Sequence, residues 1–213
     1  MSSKANTARD GNVRIPMVDM GSLSDAQEKV YEKIVAGKRG KIVGPLRAAL
    51  HSPELADRWQ ALGEFLRFDT ELPKQISELA IISTGRYWNC QLEWVIHAGI
   101  AADAGLASDI IESIGTAQAP LFDDPLQSAV YEFTRELLEF GRVSNDVYQA
   151  VHGAVGTVAL VELTGVIGYY TMVAMTLNAH DVPVPDDEKA PRLDLPKGVA
   201  LMQPSRLPAA RAE

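Results

Sequence analysis

The chain of 213 residues has one cysteine, so it can form no internal disulfide and cannot carry the dithiol of a Cys-x-x-Cys pair. Cations are also scarce. Twenty Lys and Arg against 28 Asp and Glu leave a formal charge of −8, which excludes a nucleic-acid surface or an anionic-membrane surface, since both need clustered Lys and Arg. A locally basic pocket stays compatible with that balance. There is no unbroken apolar run of bilayer length. The longest, around Val166 to Leu177, is interrupted by Gly168, Tyr169, Tyr170 and two threonines, so it is expected to be a buried core helix and no membrane partner is expected. No charged segment followed by an apolar one opens the chain, and with the single cysteine this makes a reducing cytoplasm the expected home. Sustained apolar–polar alternation is missing as well, so the fold class is all-α. No phosphate-cradling glycine motif or nucleophile elbow occurs. His152 and His180 match no ligand spacing with each other or with His97, so no metal is expected.

What is present centres on residues 72 to 106. Leu72-Pro73 reads as a helix start, because proline supplies the helical φ and lacks an N–H that the first turn would leave unpaired. The apolar residues from Ile76 to Ile82 run until Gly85, the expected stop. Asn89 is placed to cap a second helix with Cys90 at its first position, the run to Ala104 as its body and Gly105 closing it. The pair is a helical hairpin. On its second helix Cys90, Glu93 and His97 stand at relative positions zero, three and seven, one face of a 3.6-residue turn. A cysteine in the first turn feels the positive end of the helix dipole, which favours a thiolate. Glu93 and His97 are four apart, so the carboxylate is expected to hold one imidazole nitrogen and raise the basicity of the other.

Around the hairpin, Ser24 with Gln27 opens a helix ending at Gly37, and the basic KRGK that follows is expected to be a solvated turn. Gly44 to Ala49 is a short connector. Ser52-Pro53-Glu54 launches a helix to about Phe68, with His51 just before the cap, able to touch a substrate or to bond within its loop. Ser108 caps a helix through Ile114. Asp124-Pro125 starts an amphipathic helix with Ala129, Val130, Phe133, Leu137, Leu138 and Phe140 as its buried stripe and Gly141 as its end. Ser144 opens a helix to about Val155, and Val158 to Ala179 forms the last. Residues 1–22 read as a loose arm, 23–184 as one helical domain and 185–213 as a Pro-rich arm. Both arms are expected to lie on a neighbouring subunit.

Cys90-x-x-Glu93-Trp94-x-x-His97, preceded by Glu78 within SELAI, resembles the core motif of the carboxymuconolactone decarboxylase family, whose other branch is the AhpD-like alkylhydroperoxidases. The similarity runs from about Pro53 to Pro185 and includes the stretch VIGYYTMVAMTLNAHDVPVP. The peroxidase branch has a second cysteine where this chain has Glu93, so the resemblance implies acid/base chemistry rather than dithiol redox. It implies an AhpD-like fold, a trimer or hexamer, and no cofactor. The substrate would be a small carboxylated lactone or ring-cleavage product. By that analogy His97 would protonate a dienolate, Glu93 would set its tautomer, Glu78 would sit at the hairpin seam in a relay, and Cys90 would be a pocket wall. Arg86 and Tyr87 at the bend could hold a substrate carboxylate, and Trp94 could line the pocket, though a tryptophan is more often core. Two other readings stand beside this one: a peroxidase using Cys90 alone with an outside resolving thiol, and a non-catalytic oligomeric binder.

Overall fold

A computed structural model describes residues 13–42, 44–185 and 191–211. Its helices are α1 Asp25–Ala36, α2 Gly44–Ala49, α3 Pro53–Phe68, α4 Lys74–Tyr87, α5 Gln91–Asp103, α6 Ser108–Gly115, α7 Pro125–Phe140 and α8 Asn145–Ala179, with a short 3₁₀ turn at Gly198–Met202. Among the described residues there is no strand.

Helix α4 is the axis of the molecule. It packs on α5, α7 and α8, and every residue from Ile76 to Arg86 is buried. A helix enclosed on all sides needs apolar residues around its whole circumference, and the LAII run supplies them. Burial of Leu79 and Ile82 alone contributes about 1.5–3 kcal/mol each. Gly85, expected to stop α4, lies inside it. Gly85 faces Glu93 across the α4–α5 seam, where a Cβ would stand at an ordinary contact distance of 3.5 Å from its Cγ, and the helix runs through it. The turn comes after Tyr87, where Asn89 takes a left-handed φ of 53° and Cys90, not Asn89, is the N-cap of α5.

Other boundaries also depart from expectation. The connector at Gly44–Ala49 is helical, with Leu46 and Ala49 buried. Ser24 forms a complete capping box with Gln27, whereas Ser52 occupies its cap position without a side-chain bond and Ala107 replaces Ser108 as the cap of α6. On α7 the buried side carries Val130, Tyr131, Phe133 and Thr134, while Phe140, in the last turn, is exposed. Gly141 ends α7 with φ 66°. The break expected near residue 156 is a kink at Gly156, φ 79°, within the 35-residue α8. By length and composition α8 could cross a bilayer. In this fold its inner face, including Leu163, Val166, Ile167 and Ala174, is core.

The described parts of both arms, residues 13–22 and 191–211, make contacts with their own chain. Pro16 O meets Nε2 of His51 at 2.6 Å, Arg14 pairs with Asp181 and Val18 is buried; residues 1–12 lie outside the described part. In the Pro-rich arm Leu193 and Leu207 are buried. Tyr131 Oη donates to Pro208 O at 2.8 Å, and Glu139 and Glu132 accept from the Leu207 and Ala210 N–H groups. Backbone donors that a proline-rich segment cannot pair with itself are taken up by α7 carboxylates.

Candidate active site

Glu78, mid-way along α4, is fully buried and its Oε2 lies 2.7 Å from Nδ1 of His97 on α5. Lys74, one turn earlier on α4, places Nζ 2.6 Å from Oε1 of Glu78 as an ion pair outside hydrogen-bond geometry. Burial pushes the Glu78 carboxyl upward, but His97 and Lys74 outweigh it and hold the group below its ordinary range. Burial holds the His97 imidazole below 6.5, against the pull of Glu78. At neutral pH the pair is therefore a carboxylate and a neutral imidazole. Nδ1–H donates to Glu78, and Nε2 keeps its lone pair. The Tyr170 ring packs edge-on against the imidazole at 4.9 Å and fixes its plane.

Glu93 was expected to hold one imidazole nitrogen and Glu78 to lie at the hairpin seam and bond His97; of the two, it is Glu78 that meets the imidazole. Glu93 is 2 % exposed, and neither of its oxygens has a hydrogen-bond partner among the described residues. Burial drives its carboxyl well above 4.5; the adjacent Cys90 thiol opposes this and the Glu78 charge adds to it. Burial thus favours the protonated form of Glu93. Cys90 is buried, and burial together with the nearby Glu93 raises its thiol far above the ordinary value, overcoming the backbone N–H groups of Glu93 and Leu92. The thiolate expected from the helix start does not form, because desolvation outweighs the dipole.

The remaining candidates separate from this cluster. Arg86, expected at a pocket mouth, is buried and donates to Gly115 O at 3.0 Å, Asn89 Oδ1 at 2.6 Å and Ser205 Oγ at 2.8 Å. It fastens α4 to α6, the hairpin bend and the C-terminal arm. Tyr87 stacks edge-on with Trp88, and its carbonyl accepts from the Ser205 N–H. Trp94 is core, its Nε1–H donating to Pro191 O at 3.2 Å. His51 is exposed, and its Nε2 meets the Pro16 carbonyl of the N-terminal arm. None of these four belongs to the buried cluster.

Lys74 and Tyr170 were missed. The Lys74–Glu78 spacing of four was a readable signal, whereas Tyr170 comes from α8 with no local pattern to mark it. Among the described residues no group of His, Cys, Asp and Glu could hold a metal. Two surface hollows, of about 380 Å³ between α1 and α3 and about 340 Å³ on α6, include none of Glu78, Cys90, Glu93 or His97. The cluster itself is enclosed.

No protein-family model matches the chain, and no curated protein matches its sequence. Solved structures do match its shape. An uncharacterized peroxidase-related protein from Silicibacter sp. TM1040 superposes with a TM-score of 0.66 at 17 % identity, covering 86 % of this chain and 97 % of that one. An uncharacterized peroxidase-related protein with an alkylhydroperoxidase AhpD core, from Ralstonia eutropha JMP134, gives 0.67 at 15 % identity over 90 % and 97 %. The debrominase Bmp8 gives 0.61 at 12 % identity over 76 % and 87 %. The chain thus has an AhpD-like all-α fold.

Proposed function

We propose that the protein is a cofactor-free acid/base enzyme of the lyase type, acting on a small carboxylated lactone or aromatic ring-cleavage product. The observation that carries this is the Glu78–His97 pair beside Glu93, a buried carboxyl with no partner. Two carboxyls whose surroundings push their affinities for protons apart mark an acid and a base. Here Glu93 is the acid. In decarboxylation the bond to the substrate carboxylate breaks, CO₂ leaves, and the electron pair enters the conjugated carbonyl as a dienolate. Glu93 then gives its proton to carbon and becomes ionised. His97 Nε2 takes a proton from solvent and returns it to Glu93, with Glu78 stabilising the transient imidazolium. One proton is consumed for each CO₂ released. These roles exchange those expected from sequence, where His97 was the donor and Glu93 its positioner.

A single-cysteine peroxidase is the second reading. Its support is the likeness to peroxidase-related structures and the place of Cys90 beside Glu93; the raised thiol weighs against it. Self-association is part of the proposal. Exposed Val158 and Val161, and two heptads further on Met172 and Met175, lie on one face of α8 that suits a helix of a second copy, and light scattering should give a mass above one chain.

The test of the reaction is CO₂ release from a panel of unsaturated lactone carboxylic acids. Turnover that falls about a hundredfold or more in Glu93→Gln, with the fold intact, supports the acid assignment. No release from any member would remove the lyase reading and leave the single-cysteine peroxidase and the non-catalytic binder.

A further inference from the structure

The basic turn after α1 is not wholly solvated. Lys38 pairs with Asp69, but Arg39 turns inward and its Nη2 donates to the Tyr169 hydroxyl at 3.2 Å. The Tyr169 head crosses α3 at Gly63, where a Cβ would meet both the phenol oxygen and the Arg39 guanidinium well inside contact distance. Gly63 is the gap through which α8 and the α1–α2 turn meet. Arg67 follows Gly63 by one turn on the same face of α3, and its charge acts on Tyr169, Tyr170 and His97. On the other side of Gly63, the ring of Trp59 packs edge-on against Tyr169 at 6.3 Å.

This cluster is made of donors. Arg39 Nε and Trp59 Nε1 are buried and have no acceptor among the described residues, and Trp59 as a whole is 4 % exposed. Neither Arg39 nor Arg67 forms an ion pair with a described carboxylate, although other surface cations of the chain do. Buried donors left without an acceptor destabilise the fold, and a single planar oxyanion would satisfy several of them together. Trp88 and Trp94, by contrast, have their indole N–H groups bonded to Thr171 Oγ1 and Pro191 O.

We propose that Arg39, Arg67, Trp59 and Tyr169 form a carboxylate-binding site, the anionic end of the pocket whose reacting end is Glu93, Cys90 and His97. The proposal rests on the acid/base reading above for its placement in a pocket, and it fills the role that Arg86, spent on the C-terminal arm, does not. Tyr169 links the ends: it touches Arg39 through its hydroxyl and Tyr170 edge-on at 5.3 Å, and Tyr170 rests on His97.

The experiment uses the full chain with benzoate as probe and benzamide as its uncharged counterpart, read by the indole N–H resonances of the three tryptophans. Benzoate should move the Trp59 resonance saturably and leave those of Trp88 and Trp94 in place; benzamide should move none. Arg39→Gln and Arg67→Gln should each weaken benzoate binding by about tenfold or more, the loss of one charge-assisted contact. The Arg67 side chain makes no hydrogen bond among the described residues, so its variant keeps the test decisive if the Arg39 variant misfolds. Equal binding of benzamide, no movement of Trp59, or undiminished binding in folded Arg67→Gln would overturn the site. Binding is read without turnover, so charge-selective binding with no CO₂ release would leave the carboxylate site standing while removing the lyase reading.

Discussion

Two polar networks hang from α4, eight residues apart at Glu78 and Arg86, and they differ in how completely they are satisfied. Around Arg86 the guanidinium meets a carbonyl, an amide and a hydroxyl, and Ser205 Oγ in turn donates to Asn89 Oδ1 at 2.7 Å. Around Glu78 one partner is met and the neighbouring Glu93 is left with two bare oxygens. Buried polar groups in folded chains are nearly always paired, so the paired network reads as architecture and the unpaired acid as a place where something else binds or reacts. Burial alone would not have separated them, since both sit in the core.

The widest gap between the two should open in activity. His97→Ala and Glu93→Gln are each expected to lower turnover by about a hundredfold or more, the range for a positioned proton donor or acceptor, while circular dichroism stays that of the unaltered protein. Arg86→Met should leave the per-molecule rate of the folded fraction within a few-fold. Normal turnover in Glu93→Gln, or a collapse in Arg86→Met that is not matched by unfolding, would erase the distinction.

Stability should separate them in the opposite sense. Arg86→Met removes three bonds from one charged donor, and with water able to enter as the arm loosens we expect a loss of about 2–4 kcal/mol, or about 5–15 °C in melting temperature for a chain of this size. Truncation after Pro185 should destabilise in the same direction, because it uncovers Tyr131, Arg86 and the α7 carboxylates. A melting temperature unchanged in both would mean that the arm contributes nothing.

Most of the scaffold was legible. Capping at Ser24, the proline starts of α3 and α7, the glycine end of α7 and the break near Gly156 are local signals set within a turn or two of sequence. Cys90, Glu93, His97 and Glu78 were legible through helical spacing and through the family motif. What could not be read were partners supplied across the chain. Whether Glu78 or Glu93 holds His97 depends on how α4 and α5 are rotated about each other. Arg86 was misassigned because Ser205 and Gly115 are 119 and 29 residues away. Arg39 looked like part of a solvated turn because its charge run is local and its contact, Tyr169, is not.

A smaller effect lies in pH dependence. Glu93 has a folded-state affinity for protons raised above the ordinary 4.5, so its neutral burial is fully tolerated below that value and stability is lost as pH rises from there toward the raised value. Lowered His97 has the opposite sign, with stability present above 6.5 and lost as pH falls below it. Glu93→Gln should therefore flatten the decline on the alkaline side and melt higher than the unaltered protein there, while leaving the acid limb set by His97 unchanged. Parallel melting curves for the two proteins across pH would show that Glu93 is ionised at no extra cost, against its role as the neutral acid.

The smallest effect is expected at Cys90, and it decides between the two enzyme readings. Cys90 sits at the N-cap of α5, where dipole and backbone N–H groups favour an anion, yet burial and Glu93 keep the sulfur protonated. A peroxidase needs the thiolate to attack the peroxide oxygen, giving a sulfenic acid and releasing an alcohol or water, and it then needs an outside thiol to reduce that sulfenic acid. Replacing sulfur by oxygen in Cys90→Ser changes the size of the wall slightly and keeps a weak donor. Lyase turnover should fall by less than about tenfold, since no bond to sulfur forms along the acid/base route. The companion measurement is peroxide consumption by the unaltered protein with an external thiol present. Slow consumption that is equal in Cys90→Ser keeps sulfur a bystander, whereas fast consumption that vanishes in the serine variant would make Cys90 the reacting atom and Glu93 the acid that protonates the leaving oxygen.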